Sequence, residues 1–156
     1  MTFWRIIILT ALSILAFAGN SLLSRAAFTL TEIDANSFTL VRLTAGALTL
    51  LFPVWWEQRQ LGIAGSWPGA LSLFGYAILF SYAYLQLDTA TGALILFAAV
   101  QLTMLLYSVR QREQVTRWQW LGALMALSGM VYLLLPGAAA PSAGAGLLMI
   151  GAGMAW

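Results

Sequence analysis

The 156 residues include no cysteine, no histidine and no lysine, and only 8% are charged. Without cysteine there is no disulfide framework and no thiolate metal site. Without histidine the commonest general base and metal ligand is missing. Zinc, haem and Ser-His-Asp chemistry are thereby excluded as expectations: no cofactor, no metal ligand set and no catalytic residue is predicted. The net charge of +2, from seven arginines against five acids, is too small and too scattered for nucleic-acid binding. What is abundant is apolar: 62% of the residues are hydrophobic, more than a soluble domain of this length can cover with polar surface. The expected solvent is the lipid bilayer.

Spanning about 30 Å of hydrocarbon at about 1.5 Å per residue takes roughly 20 apolar residues. Runs of that size recur, and the spacing predicts helices over Trp4–Phe28, Asn36–Trp56, Pro68–Leu87, Thr89–Val109 and Trp118–Leu135, with a sixth opening near Ala143. Polar breaks divide them: Thr31 to Asp34, Glu57 to Ser66, Asp88, and Arg110 to Arg117. Pro136-Gly137 and Pro141-Ser142 bracket the last loop. The single break at Asp88 predicts a tight antiparallel hairpin of helices three and four. The expected fold is therefore all-α, a polytopic membrane helix bundle of five transmembrane helices over 1–135, an external loop over 136–142, and the start of a sixth helix over 143–156.

Arginine placement orients the bundle. With the N-terminus cytoplasmic, Arg5, Arg59, Arg110, Arg112 and Arg117 lie inside, while Glu32, Asp34 and Asp88 lie outside. Trp55, Trp56, Trp67, Trp118 and Trp120 then fall at inner boundaries as an aromatic belt. Five spans is an odd number, so a second copy of the unit would be inverted. The 14 residues from Ala143 to Trp156 make about 21 Å of helix, short of a full span, and the expectation is a fragment that stops in mid-membrane.

Polar groups inside spans face the bundle interior or a watery cavity. Helix one carries Ser13, Ala16, Asn20 and Ser24 at spacings of three and four. Helix two carries Thr39, Arg42, Gly46, Thr49 and Pro53, helix three Ser72, Gly75, Tyr82 and Gln86, and helix four Gln101 and Ser108. For Asn20, Ser24 and Gln101 the competing reading is interhelical packing, with each hydrogen bond worth about 0.6 to 2 kcal/mol. Arg42 lies about 10 Å below the outer end of its helix, where a cation costs roughly 2 kcal/mol or more, and function is the stronger reading. Its alternative is snorkelling to Asp34 or Asp88. Arg25, nearer a helix end, is expected to snorkel. Gly46 in helix two, with Gly122, Ala126 and Gly129 in helix five, is a small-residue position suited to close helix packing.

These residues resemble those of the EamA-like transporters of the drug/metabolite transporter superfamily. Ala18-Gly19-Asn20-Ser21 in helix one is similar to that family's Trp-Gly-Ser-Asn region without the tryptophan, and Arg42 matches an arginine common there. Glu113, followed nine residues later by Gly122 and seven more by Gly129, matches the stretch from the end of helix four through helix five. Ala145 to Trp156 looks like the opening of a second repeat. One departure is Val100-Gln101 where the family usually has a proline. The resemblance implies one repeat of an inverted-repeat transporter, the first half of a ten-helix secondary carrier in the plasma (bacterial inner) membrane. It would export small metabolites, amino acids or drug-like solutes, and would need a second five-helix repeat in the same or another chain. Asn20, Ser24, Arg42, Tyr82 and Gln101 would line the substrate cavity. The alternative is a non-transporting membrane subunit or truncated remnant. With no acid in the spans, a membrane enzyme is not expected.

Overall fold

The computed structural model describes residues 3–58, 65–134 and 142–156. Arg59, Leu135 and residues 136–141 of the expected loop lie outside the described residues, as does the Trp55 side chain. Within them the chain is entirely helical: α1 (Phe3–Leu30), α2 (Ala35–Gln58), α3 (Trp67–Tyr84), α4 (Thr89–Arg110), α5 (Arg117–Leu134) and α6 (Ala143–Ala155). Three segments, Phe3–Leu30, Ala35–Pro53 and Thr89–Arg110, are long and apolar enough to cross a membrane. The other two expected spans have 18 residues each. They open on polar and interfacial residues, Trp67-Pro68 in α3 and Arg117-Trp118-Gln119-Trp120 in α5, which lower their mean hydropathy. Trp56, Trp67, Trp118 and Trp120 are all exposed, as ring anchors at a lipid interface are.

The helix starts carry their own caps. Asp34 accepts from the Asn36 and Ser37 amides, Ser66 from Gly69, Asp88 from Thr91 and Ser142 from Ala145. Each satisfies donors that the first helical turn leaves free. At α5 the cap is reciprocal: the Gln119 carbonyl oxygen accepts from the Thr116 amide, and the Thr116 hydroxyl accepts from the Gln119 amide. α4 ends in a Schellman turn, with Glu113 N–H on Ser108 O and Arg112 N–H on Val109 O. Arg112 sits at φ 58° there, a left-handed position that glycine usually fills.

The expected hairpin of helices three and four has its turn at residues 85–88, but the two helices do not pack along their length. α6 occupies the space between them. It runs antiparallel to α3, with Ser142 beside Gln86, Gly151 against Leu79 and Ala155 near Gly75. It runs parallel to α4, where Gly153 lies so close that a Cβ would come within 2.6 Å of the Ala99 Cβ and 3.0 Å of the Leu96 carbonyl oxygen. Phe80, Tyr84, Ile95, Leu96, Met149 and Ala152 form the core at this three-helix junction. Small residues on α6 permit the approach; bulky aromatics on α3 keep α4 away except at the turn, where the Tyr84 ring covers Gly92. Among the described residues the closest approaches at glycine are Gly153 to α4 and Gly92 to the Tyr84 ring. A Cβ at Gly46, Gly122 or Gly129 would meet nothing within 4 Å among the described residues; half-buried Ala126 lines a groove between α5 and α4.

The bundle has two unlike ends. One, bearing Glu32, Asp34 and Asp88, is here called the acidic end. The other, bearing Arg5, Arg110, Arg112 and Arg117, is the basic end. α1 runs from the basic end to the acidic end, and α6 runs the opposite way.

Candidate functional site

Two antiparallel helices, α2 and α3, meet through polar side chains. Thr39 and Ser81 are buried, with their hydroxyl oxygens 2.7 Å apart, and each hydroxyl also lies within 2.8 Å of the carbonyl four residues back on its own helix. Two hydroxyls hold two protons, so two of the three contacts are bonded at any moment, and no donor is wasted. One turn deeper is Arg42.

Arg42 is half-buried. Its Nη2 donates to the Tyr76 hydroxyl at 2.9 Å. Its guanidinium carbon lies 4.2 Å from the centroid of the Phe80 ring and 5.2 Å from that of Tyr76. Arginine suits this position because a planar, weakly hydrated cation gains from ring faces what it loses in water. Nη1 is buried with no acceptor among the described residues. Neither acid proposed as a partner reaches it: Asp34 caps α2 and Asp88 caps α4 through Thr91. Behind Arg42 the rings continue. Tyr76 stacks on Trp156 at 6.1 Å, and Trp156 meets Phe17 edge to face at 5.8 Å. α1, α2, α3 and α6 thus converge on one cation and its aromatic wall.

Among the described residues none of the other candidates hydrogen-bonds to Arg42. Asn20 is half-buried; its carbonyl accepts from the buried Ser24 hydroxyl, which is therefore satisfied within α1. Tyr82 is exposed and turns its hydroxyl to Asn36 Oδ1 at 3.2 Å, toward the acidic end. Tyr76 and Tyr82 are six residues apart, about 120° around a helix of 3.6 residues per turn, and their hydroxyls meet α2 at different depths, Tyr76 at Arg42 and Tyr82 at Asn36. Tyr76 is the tyrosine that meets Arg42. Its signal was the series Tyr76, Phe80, Tyr84 at four-residue steps, an aromatic stripe beside the polar one.

Gln101 is exposed on the far side of α4, toward α5. Two adjoining grooves of about 490 and 500 Å³ lie there and share Gln101 and Ala126. The first carries Ser108, Glu113 and Gln119 toward the basic end; the second is apolar, with Phe97 and Tyr132. Arg25, expected to snorkel, instead donates from Nη1 to the carbonyls of Tyr84 at 2.9 Å and Leu85 at 3.3 Å. These lie at the C-terminal end of α3, where carbonyls are unpaired and the helix dipole favours a cation. α3 ends at Tyr84, short of the expected Leu87, and Arg25 takes carbonyls that this end leaves free.

Comparison with known proteins agrees with this architecture. Residues 4–135 match the EamA-like transporter family. An uncharacterized protein of Pseudomonas aeruginosa is 53% identical over 153 residues, covering 97% of this chain and 53% of its own length. The chain thus spans about half the length of that curated relative. No solved structure matches.

Proposed function

The chain belongs to the EamA-like transporter family, and from that premise we propose that it forms the first of two inverted repeats of a ten-helix secondary transporter. The carrier exports small metabolites, amino acids or drug-like solutes across the plasma (bacterial inner) membrane. All five helices α1 to α5 span in this reading, with the N-terminus and the basic end cytoplasmic. Three features support it. The relative is about twice as long. The arginines gather at one end, as cytoplasmic loops require. α6 enters the bundle from the end opposite to that where α1 begins, as the first helix of an inverted copy must.

The observation that carries a transport site is Arg42. A cation held within a span costs roughly 2.5 to 3.5 kcal/mol, and such groups mark substrate paths. Tyr76 and Phe80 offset part of that cost, yet Nη1 still lacks an acceptor. In the transport cycle Nη1 faces the solute, with Asn20 on α1 and Gln101 on α4 meeting the path at other depths, and with Ser24 and Tyr82 bordering it.

The test uses the full-length transporter in proteoliposomes, with a panel of labelled amino acids, monocarboxylates and drug-like solutes. Arg42→Gln is expected to reduce uptake at least ~10-fold with unchanged amount and thermal stability of the protein, while Arg42→Lys retains part of it. Uptake by Arg42→Gln equal to the parent's would remove the site. A second reading, a non-transporting membrane subunit, draws on the hydroxyls of Ser13, Ser24, Thr44 and Thr49, which bond to their own helices. A parent that moves nothing in the panel, yet binds a membrane partner, would favour it.

A further inference from the structure

The polar bonds that join one helix to another are not spread along the bundle. Among the described residues they run from Arg42–Tyr76 at mid-depth to the acidic end, and none lies at the basic end. Three of them converge on one short segment, residues 82–86. Tyr82 donates to Asn36 at the start of α2, Arg25 of α1 donates to the carbonyls of Tyr84 and Leu85, and Gln86 Oε1 accepts from the Ser142 hydroxyl at the start of α6 at 2.6 Å. The end of α3 is thus a hub onto which α1, α2 and α6 are each hooked by a single side chain.

These hooks differ from the bonds beneath them. Thr39–Ser81 is buried. Tyr82, Gln86 and Ser142 are exposed and Arg25 is half-buried, so water competes for each hook and can replace it. Two of them also use helix-end groups, the free carbonyls of α3 and the capping serine of α6, which water satisfies equally well once the helices part. Breaking them leaves no buried polar group stranded. A contact set that closes one end, is made of exchangeable bonds and costs little to undo has the properties of a gate rather than of a static joint. Toward the basic end the α4–α5 groove lined by Ser108, Glu113 and Gln119 is open, and a Cβ at Gly122, on its wall, would meet nothing within 4 Å among the described residues.

The geometry points to an outer gate built on the end of α3, with Arg25 and Gln86 as its fastenings: the structure is the state closed to the outside and open to the cytoplasm. This rests on the transporter reading and on its orientation, and names the residues that regulate access to the same path. The exchange partner is water, and the gate opens when Arg25 releases the α3 carbonyls and Gln86 releases Ser142.

The test needs no knowledge of the substrate. These 156 residues contain no cysteine, so single thiols can report access in the full-length transporter once any cysteine of the second half is replaced by serine. Ala77→Cys reports below the gate, where Ala77 is buried, and Ala123→Cys reports on the inner groove. A membrane-impermeant maleimide is applied from outside to right-side-out vesicles and from inside to inverted ones. Arg25→Gln, and separately Gln86→Leu, are expected to raise outside labelling of Ala77→Cys by up to ~10-fold and to lower inside labelling of Ala123→Cys, as a shift between two states requires. Unchanged labelling at both reporters overturns the gate. Labelling that rises at both also overturns it, because it marks general loosening. Should Arg42→Gln transport normally while the two reporters move in opposite directions, the Arg42 site falls and the gate stands.

Discussion

The acidic and basic ends of this bundle are built from the same helices yet held by different means. At the acidic end, side chains from α1, α2 and α6 reach across to α3, and the core residues Phe80, Tyr84, Leu87 and Ile95 lie just beneath. At the basic end every described cap is local: Thr116 with Gln119, the Schellman turn at Arg112, Ser66 on Gly69. Local caps fix where helices begin and end but not how they sit against one another. Cross-helix bonds and close backbone approach do that. The difference teaches that in a bundle whose outer surface and interior are equally apolar, polar contacts and small residues decide which helices are neighbours.

Substitutions at close and at open helix faces should therefore have unequal effects. The largest is expected at Gly153, where a Cβ would overlap Ala99 and the α4 backbone. Gly153→Val should lower stability by about 3 kcal/mol, read as a fall in thermal midpoint in detergent, and Gly153→Ala by about 1 to 3 kcal/mol. Gly122→Ala, on the open face of α5, should be neutral or stabilising by up to about 1 kcal/mol through helix propensity. A cost above about 1 kcal/mol at Gly122 would mean that the open face is covered by a partner, and would erase the contrast.

Next in size is the buried pair between α2 and α3. Thr39→Val and Ser81→Ala should each cost about 1 to 2 kcal/mol by leaving polar groups short of a partner. The double variant should cost less than their sum by at least about 0.5 kcal/mol in denaturant unfolding, since the two hydroxyls share their protons. Strict additivity would show that the contact contributes nothing as a pair.

At the basic end a gain is available. Arg112→Gly removes a side chain from a left-handed position at φ 58° and should stabilise α4 by about 0.5 to 1 kcal/mol, measured by chemical unfolding. A loss would show that the Arg112 side chain contributes more than its backbone costs.

The smallest effect concerns pH. The Ser37 hydroxyl first, then the Ser37 and Asn36 amides, hold the exposed Asp34 carboxyl below its ordinary 3.8. A lowered carboxylate pKa means the folded helix start prefers the charged form. Its contribution is therefore complete above pH 3.8 and is lost as pH falls through the lower folded value. Below pH 3.8 the parent should lose slightly more helical signal by circular dichroism than Asp34→Asn, which does not titrate. Identical acid profiles would assign the cap no electrostatic part.

Much of this protein was legible before its structure. The lipid environment, the helix starts at Thr89 and Ala143, and the family all followed from apolar run length, the breaks at Asp88 and Pro141-Ser142, and the spacing of Glu113, Gly122 and Gly129, because these depend on residues close in sequence. The site was less legible. Arg42 stood out, since a cation in an apolar run needs a reason wherever it lies. Its partners did not: Tyr76 lies about 120° of helix rotation from Tyr82, and no stripe on α3 alone reveals that Tyr76 meets Arg42. Likewise Arg25 reads as a snorkelling residue until the end of α3 is found beside it, 59 residues away. Span length, caps and charge placement are sums over neighbouring residues, and the sequence by itself determined them. Which helix lies between α3 and α4, and which carbonyls Arg25 holds, only the tertiary structure decided, because those depend on a few contacts, such as Gly153 on Ala99, that no local pattern encodes.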